Sequence, residues 1–292
     1  MEILIISLVR GSLYSLISVG FVLIFSVGRI LNLSHGVFYM MGAYFTYIFY
    51  KYFLGGGGKV SVLFAMLLAI FAVVLLGLFI YLFIFRRHIK KSKTMAMSIS
   101  SIMVMALCIN LFSSEAMSLL FGITAAMVPP LIEGSTDIWG VRCINQELLL
   151  IPLTAIILFG LWAFLRHNRL GRSIYAVAQN KYAATLMGVN AEMSIVVTVI
   201  LSAVLAALAG TLISSVHSVV PYMWVFPLIK SFCIAIAGGL GSLLGAVIVS
   251  FILGFSEVAT ALILSEHYAD FVALFMLGII LIVKPEGLKG EK

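Results

Sequence analysis

Long apolar runs separated by short polar stretches set the pattern of this chain. The runs occupy roughly residues 5–27, 36–53, 60–85, 97–121, 148–165, 194–216, 225–240, 242–262 and 268–283. Several reach the ~20 residues that an α-helix needs to cross a hydrocarbon layer. The ~10-residue alternating segments of a membrane β-barrel are not evident. The pattern predicts an all-α membrane protein: a polytopic helical bundle of eight or nine hydrophobic segments, forming a single domain over 1–292. The first run starts without a basic stretch, has Glu2 ahead of it and runs past Phe25 without a small-residue cleavage site. It is therefore expected to stay as a helix rather than be removed as a signal peptide.

Two runs are shorter and less regular than the others. Asn32, Ser34, His35 and Gly36 precede 36–53, while Pro227, Lys230 and the stretch Gly238-Gly239-Leu240-Gly241-Ser242 interrupt 225–240. Polar or glycine-broken backbone at membrane depth is tolerated only where protein or a water-filled cavity covers it. Such a matched pair in the two halves of a transporter points to its path. Asn32, His35, Gly36, Lys230, Gly238, Gly239, Gly241 and Ser242 are therefore candidate path or gating residues. For the glycines, close helix packing is the competing reading. The spacing also fits two related halves, 5–121 and 194–283, with Gly42-Ala43 facing Gly245-Ala246 in the alignment.

Charge supplies the orientation. Charged residues make up 10% of the chain, against the ~25% of a soluble domain. Twelve of the eighteen basic residues fall in three membrane-flanking patches: Arg86, Arg87, Lys90, Lys91 and Lys93; Arg166, Arg169, Arg172 and Lys181; and Lys284, Lys289 and Lys292. Basic residues resist translocation, so these patches are expected in the cytoplasm. The N-terminus and the loop 122–147 then face outward and the C-terminus inward. This distribution explains the net charge of +7 without any nucleic-acid partner.

No catalytic constellation is present in the sequence. HExxH, GxSxG and the GxxxxGK[ST] nucleotide loop are all missing, so any ATP must be used by a partner. Cys108, Cys143 and Cys233 are scattered and suit packing rather than disulfides or a metal site. His88 and His167 fall in polar loops and are read as solvated. Intramembrane ionisable groups are costly, which singles out His35, Lys230, Glu257 and Glu115. Lys230 either caps carbonyls of the broken segment or lines the path; Glu115 is read as the mark of an external helix end. Arg29 is expected to reach the cytoplasmic interface beside Asn32.

One segment stands apart, Arg166 to Glu192. It carries four cations, an alanine-rich helical stretch over Ile174–Met187 and Gly188 as a stop. Composition leaves two readings open: a lever between two spans that a partner moves, or an amphipathic helix lying on lipid.

Its sequence LGRSIYAVAQNKYAATLMGVN (Leu170–Asn190) resembles the cytoplasmic signature of the branched-chain amino-acid permease family of bacterial ABC importers, which reads LGR, AVAQN, AA and MGIN in order. GSLYSLISVGFVLIF (Gly11–Phe25) with NLSHGVFYMMGAY (Asn32–Tyr44) is similar to the first block of that family. KSFCIAIAGGLGSLLGAVI (Lys230–Ile248) and VKPEGLKG (Val283–Gly290) are similar to its last. The resemblance spans nearly the whole chain and fits the shorter of two permease types.

It implies that 166–193 includes the coupling element docking on an ATP-binding subunit, with Arg172, Ala183, Ala184 and Gly188 at its core. It further implies two ATPase subunits that hold ATP and magnesium, no cofactor on this chain, a second permease subunit, an external substrate-binding protein and a bacterial or archaeal plasma membrane. Lys181-Tyr182 departs from the acidic residue often found before the two alanines, and Leu33-Ser34 from the usual Phe-Ala. The reading is an importer of branched-chain or related amino acids; permeases for urea, amides or aromatic compounds and a stand-alone secondary carrier are the alternatives.

Overall fold

The computed structural model describes residues 2–29, 31–55, 57–91, 95–123, 126–138, 141–284 and 287–288. In chain order the elements are α1 (Glu2–Gly28), α2 (His35–Ile48) extended by a π-helical turn over Phe49–Phe53, and α3 (Gly58–Phe79). A second π-helical stretch, Ile80–Phe85, joins α3 to α4 (Arg86–Lys91). Then come α5 (Met95–Phe121), the strands β1 (Ser135–Ile138) and β2 (Val141–Ile144), α6 (Asn145–His167), α7 (Arg169–Gln179) and α8 (Lys181–Leu186). The chain closes with α9 (Ala191–Ile213), α10 (Val225–Gly238), α11 (Leu243–Ile263) and α12 (Glu266–Val283).

Every apolar run of the sequence is helical. Among the described residues, six helical stretches are long and apolar enough to cross a membrane, with Val225–Gly238 and Tyr268–Val283 as shorter apolar helices. Pro227 does not interrupt the short helix α10. It lies in the first turn, where a missing N–H costs nothing.

Two features depart from the sequence reading. The loop 122–147 contains an antiparallel hairpin, with Ser135 opposite Ile144 and Ile138 opposite Val141. Four-residue strands are too short to leave a periodic signal. The alanine-rich segment forms two helices instead of one, because Asn180 adopts extended backbone between α7 and α8.

The packing has an internal order. α1 packs on α10 and α11, α9 packs on α2 and α3, α1 lies against α9, and α2 touches α10. Exchanging α1 with α9, α2 with α10 and α3 with α11 maps these contacts onto themselves. The pattern relates α1–α3 to α9–α11 only: α12 packs firmly on α10 and α11, with no equal counterpart between α5 and α2 or α3. The alignment of Gly42-Ala43 with Gly245-Ala246 does not follow it, since Gly42 lies in α2 and Gly245 in α11. Close approach depends on missing side chains: a Cβ on Gly210 of α9 would come within 1.9 Å of the Tyr39 carbonyl oxygen, and one on Gly42 within 2.7 Å of that of Ala207. Backbones at that distance gain dispersion contacts, which hold membrane helices together where lipid removes the hydrophobic drive. Large apolar side chains of α3, α5, α6 and α12, such as Phe71, Phe112, Phe159 and Phe275, remain exposed.

Candidate functional site

The first polar centre forms at the start of α2. Asn32 Oδ1 accepts hydrogen bonds from the Ser34 amide, at 3.2 Å, and from the Ser34 hydroxyl. This Asx-type turn ends an irregular stretch inside the protein, and Asn110 Nδ2 of α5 ties it down by donating to the Leu33 carbonyl at 2.9 Å. His35, the next residue, is fully buried. Its Nε2 lies 2.9 Å from the Ile17 carbonyl and its Nδ1 3.2 Å from the Ser202 hydroxyl. A carbonyl only accepts, so Nε2–H donates to Ile17 while Nδ1 accepts from Ser202. One neutral ring thereby joins α1, α2 and α9. Gly36 beside it leaves room for Trp224 and Leu228, because a Cβ there would sit 3.1 Å from the Trp224 ring and 3.3 Å from Leu228 Cβ. The first turns of the two short helices therefore meet inside the bundle. Trp224 is anchored in turn by its Nε1–H, which donates to Ser114 Oγ at 2.5 Å.

The second centre is ionic. Lys230 Nζ of α10 stands 3.0 Å from Glu257 Oε1 of α11 and 3.1 Å from Asp270 Oδ1 of α12. It also donates to the Tyr14 hydroxyl at 3.1 Å, and Tyr14 donates to Glu257 Oε2 at 2.6 Å. Arg10, one turn before Tyr14, reaches Glu257 Oε2 at 3.8 Å. Glu257 is fully buried. Its Oε1 contacts Lys230 as an ion pair without the angles of a hydrogen bond. Two cations and two carboxylates thus balance in charge across α1, α10, α11 and α12. A buried ion survives only when paired in this way. Among the described residues, the partners of Lys230 are side chains and not carbonyls of the broken segment. The sequence singled out Lys230 and Glu257 but missed Arg10, Tyr14 and Asp270. The i, i+4 spacing of Arg10 and Tyr14, which puts both on one face of α1, was the available signal.

The glycine cluster lies elsewhere. Gly238 crosses Gly245 of α11 so closely that a Cβ on Gly245 would come within 2.0 Å of the Gly238 carbonyl oxygen. Gly239 and Gly241 hold φ of +98° and +106°, a region that favours glycine. Ser242 caps α11 by accepting from the Gly245 amide at 3.1 Å. Gly241 faces Ser26 near the end of α1, and the Leu288 amide donates to the Ala237 carbonyl. Leu228 and Gly238 are ten residues apart, about 15 Å along α10. The Asn32–Gly36 and Gly238–Ser242 breaks consequently occupy opposite ends of α10 instead of lying side by side. In this conformation the second break is a packed, capped turn.

The α7–α8 tip is built to be rigid. Asn168, Asn180 and Asn190 cap α7, α8 and α9 by accepting from the amides of Leu170, Ala183 and Met193. Gly188, at φ +82°, ends α8: its amide donates to Thr185 O and the Val189 amide to Ala184 O, both at 3.0 Å. That pair is a Schellman motif. Gly171, Ile174 and Val177 turn inward at helical spacing, with Gly171 wedged against the Phe164 and Leu165 backbone. Ala184 also turns inward, at 6% exposure. Of the two alanines that the resemblance implies at the core of the coupling element, only Ala183 is exposed, because a short helix has a front and a back. The outward residues are Tyr182, Leu186 and Met187, the last 85% exposed, with Arg172 and Gly188 also exposed.

The remaining candidates are peripheral. Glu115 accepts a hydrogen bond from the Tyr222 hydroxyl, so it ties α5 to the segment before α10. His88 is half-buried with Nε2 shielded and unbonded, not solvated, whereas His167 is exposed. Cys143 and Cys233 are buried as packing residues, and Cys108 is exposed. Arg29 is exposed after α1, with φ +50°. Among the described residues no group of histidine, cysteine and carboxylate side chains could hold a metal ion.

Residues 3–283 match the family described as the branched-chain amino acid transport system / permease component. The chain is similar to the high-affinity branched-chain amino acid transport system permease protein LivH of Salmonella typhimurium, with 28% identity over 96% of this chain and 92% of that protein. It is also similar to BraD of Pseudomonas aeruginosa, a protein of the same description, at 29% identity over the same shares. Among solved structures, PsaBC from Streptococcus pneumoniae in complex with Fab gives a TM-score of 0.49 at 15% identity, covering 98% of this chain and 91% of that one.

Proposed function

The chain belongs to the permease family of branched-chain amino-acid transport systems, and from that premise we propose that it is the membrane subunit of an ATP-driven importer. Its cargo is branched-chain or related amino acids, handed over by an external substrate-binding protein. The chain is a transport subunit and not a catalytic one. Two partner ATPase subunits bind ATP and magnesium, and a second permease subunit completes the pore. The N-terminus and the hairpin loop face outward; the α7–α8 tip and the C-terminus face the cytoplasm of a bacterial or archaeal plasma membrane.

The observation that carries the reading is the tip. Tyr182, Leu186 and Met187 expose apolar surface outside the apolar spans, on a helix capped at both ends. A capped helix resists deformation, so a push on its front moves its back. That back, through Ile174, Val177 and Ala184, joins the main core. α7 packs on α1, α6 and α9, and α9 holds Ser202 against His35. An ATPase dimer closing on the tip would therefore move the helices that bear the first polar centre. Alternation requires ATP and the loaded binding protein to stabilise different states. The candidate path residues are those at the meeting of α2 and α10: Asn32, His35 and Gly36. Lys230 is assigned a role in holding α10, and Gly238, Gly239, Gly241 and Ser242 a role as the hinge-like turn at its other end.

The test is Leu186→Glu, measured as substrate-stimulated ATPase activity of the assembled complex. Burying an unpaired carboxylate at the docking face costs about 3 kcal/mol, roughly a hundredfold in affinity. Activity is expected to collapse while the membrane subunit stays folded. Full turnover with both ATPases retained would return the tip to the lipid-surface reading. Ala184→Glu is not an equivalent probe, because it strikes the core.

A further inference from the structure

A second surface on the α7–α8 side has a chemistry the transport reading does not use. Where α3 gives way to α4, Leu82, Phe83, Arg86 and Arg87 line an open groove of about 360 Å³. All four lining residues come from one helical stretch, and the surface changes in kind along it. Phe79 and Phe83 are half exposed to the surroundings and stack on each other with centroids 4.9 Å apart, continuing the apolar face of α3. The end toward α4 is cationic. The Arg87 guanidinium lies 5.4 Å from the Phe83 ring centroid and has no acidic partner among the described residues. Arg86 is held in place by Glu192 at the start of α9. Lys90, Lys91 and Lys93 follow at once in the sequence.

The backbone contributes to this arrangement. The π-helical stretch Ile80–Phe85 ends at Arg86 and contains neither proline nor glycine to cause it. Such stretches are rare and are frequent at functional sites. Arg86 and Arg87 follow Phe83 by three and four residues, the spacing that sets side chains on one helical face.

We propose that this groove binds one anionic phospholipid, its phosphate on Arg87 and Arg86 and an acyl chain along Phe83 and Phe79. Charge complementarity selects the headgroup, as basic clusters at a span's end attract anionic lipid. The apolar part selects a lipid over a free phosphate, which would leave Phe79 and Phe83 unoccupied. The position gives the lipid a consequence, because Arg86 connects the groove to Glu192, four residues after Gly188 of the tip. The inference rests on the membrane placement of α3 and not on the identity of the cargo.

The experiment is native mass spectrometry of the full complex taken from vesicles of phosphatidylcholine mixed with phosphatidylglycerol. Retained phosphatidylglycerol is expected to exceed phosphatidylcholine, and Arg87→Gln to reduce it about fivefold. The control is Arg166→Gln, since Arg166 sits similarly over Trp162 at 5.3 Å but at the end of α6; it should leave retention unchanged. Equal losses in both variants would overturn the site in favour of general attraction to basic residues, and so would equal retention of the two lipids. Displacement by soluble glycerophosphate would make it a phosphate site and likewise overturn it. If Arg87→Gln does not accumulate, Phe83→Ala tests the acyl contact and should lower retention too. Lipid retention needs no turnover, so a failed Leu186→Glu test would sink the coupling reading without touching this one.

Discussion

The two buried polar centres solve the same problem in opposite ways. His35 is a neutral ring whose two nitrogens meet a backbone carbonyl and a hydroxyl, neither of which needs to be charged. Lys230 and Glu257 are ions whose burial is tolerable only because each has the other, with Tyr14, Arg10 and Asp270 around them. A neutral hydrogen-bonded centre contributes modestly and can rearrange at low cost. A buried ionic centre contributes little net stability while intact but is severely destabilising when half of it is removed. On the proposed transport reading, the first centre suits a place that moves in each cycle, and the second holds α10 to α1, α11 and α12.

The sharpest way to break this comparison is to remove one ion. Lys230→Met should destabilise the purified protein in nanodiscs by about 3–5 kcal/mol, read as a fall in thermal midpoint. Adding Glu257→Leu should recover most of that loss, because the orphaned carboxylate goes with it. Equal damage from the single and the double variant would show that the ions are not coupled. A smaller effect is expected at the other centre. His35→Leu frees the Ser202 hydroxyl and the Ile17 carbonyl, at about 1–3 kcal/mol, and should depress uptake more than its loss of stability explains. Uptake tracking stability alone would make His35 a packing residue. The smallest effect belongs to the tip, whose caps take no part in either centre. Asn180→Ala removes one cap, about 1 kcal/mol, and should appear as faster amide exchange confined to α8; exchange spreading into α9 would contradict the view of α8 as a separately capped unit.

These contrasts also separate what could be read from the chain and what could not. The nine apolar runs became helices with nearly the predicted bounds, because crossing hydrocarbon fixes both length and composition. The stop at Gly188 was legible, since a residue at φ +82° there is best served by glycine. Lys230 and Glu257 were legible as exceptions, their charge being out of place. The partnership between them was not: they are 27 residues apart on different helices, and Tyr14 completes the group from a third. The inward turn of Ala184 was equally hidden. Two adjacent alanines have the same composition whichever way a helix faces, and the facing is set by what lies behind it.

By itself the sequence determined a polytopic helical membrane protein, the place of its breaks, the charge asymmetry and, through its signature segments, the family. Those properties follow from local physics: the solvent a segment can tolerate and the backbone a residue can adopt. Only the tertiary structure decided that the first turns of α2 and α10 meet, that the glycine cluster lies about 15 Å away at the other end of α10, and which side of the α7–α8 tip is exposed. These are distances between segments far apart in the chain. They are set by how glycine-bearing faces such as those of Gly42 and Gly210 close against each other, a choice that the periodicity of a single helix does not encode.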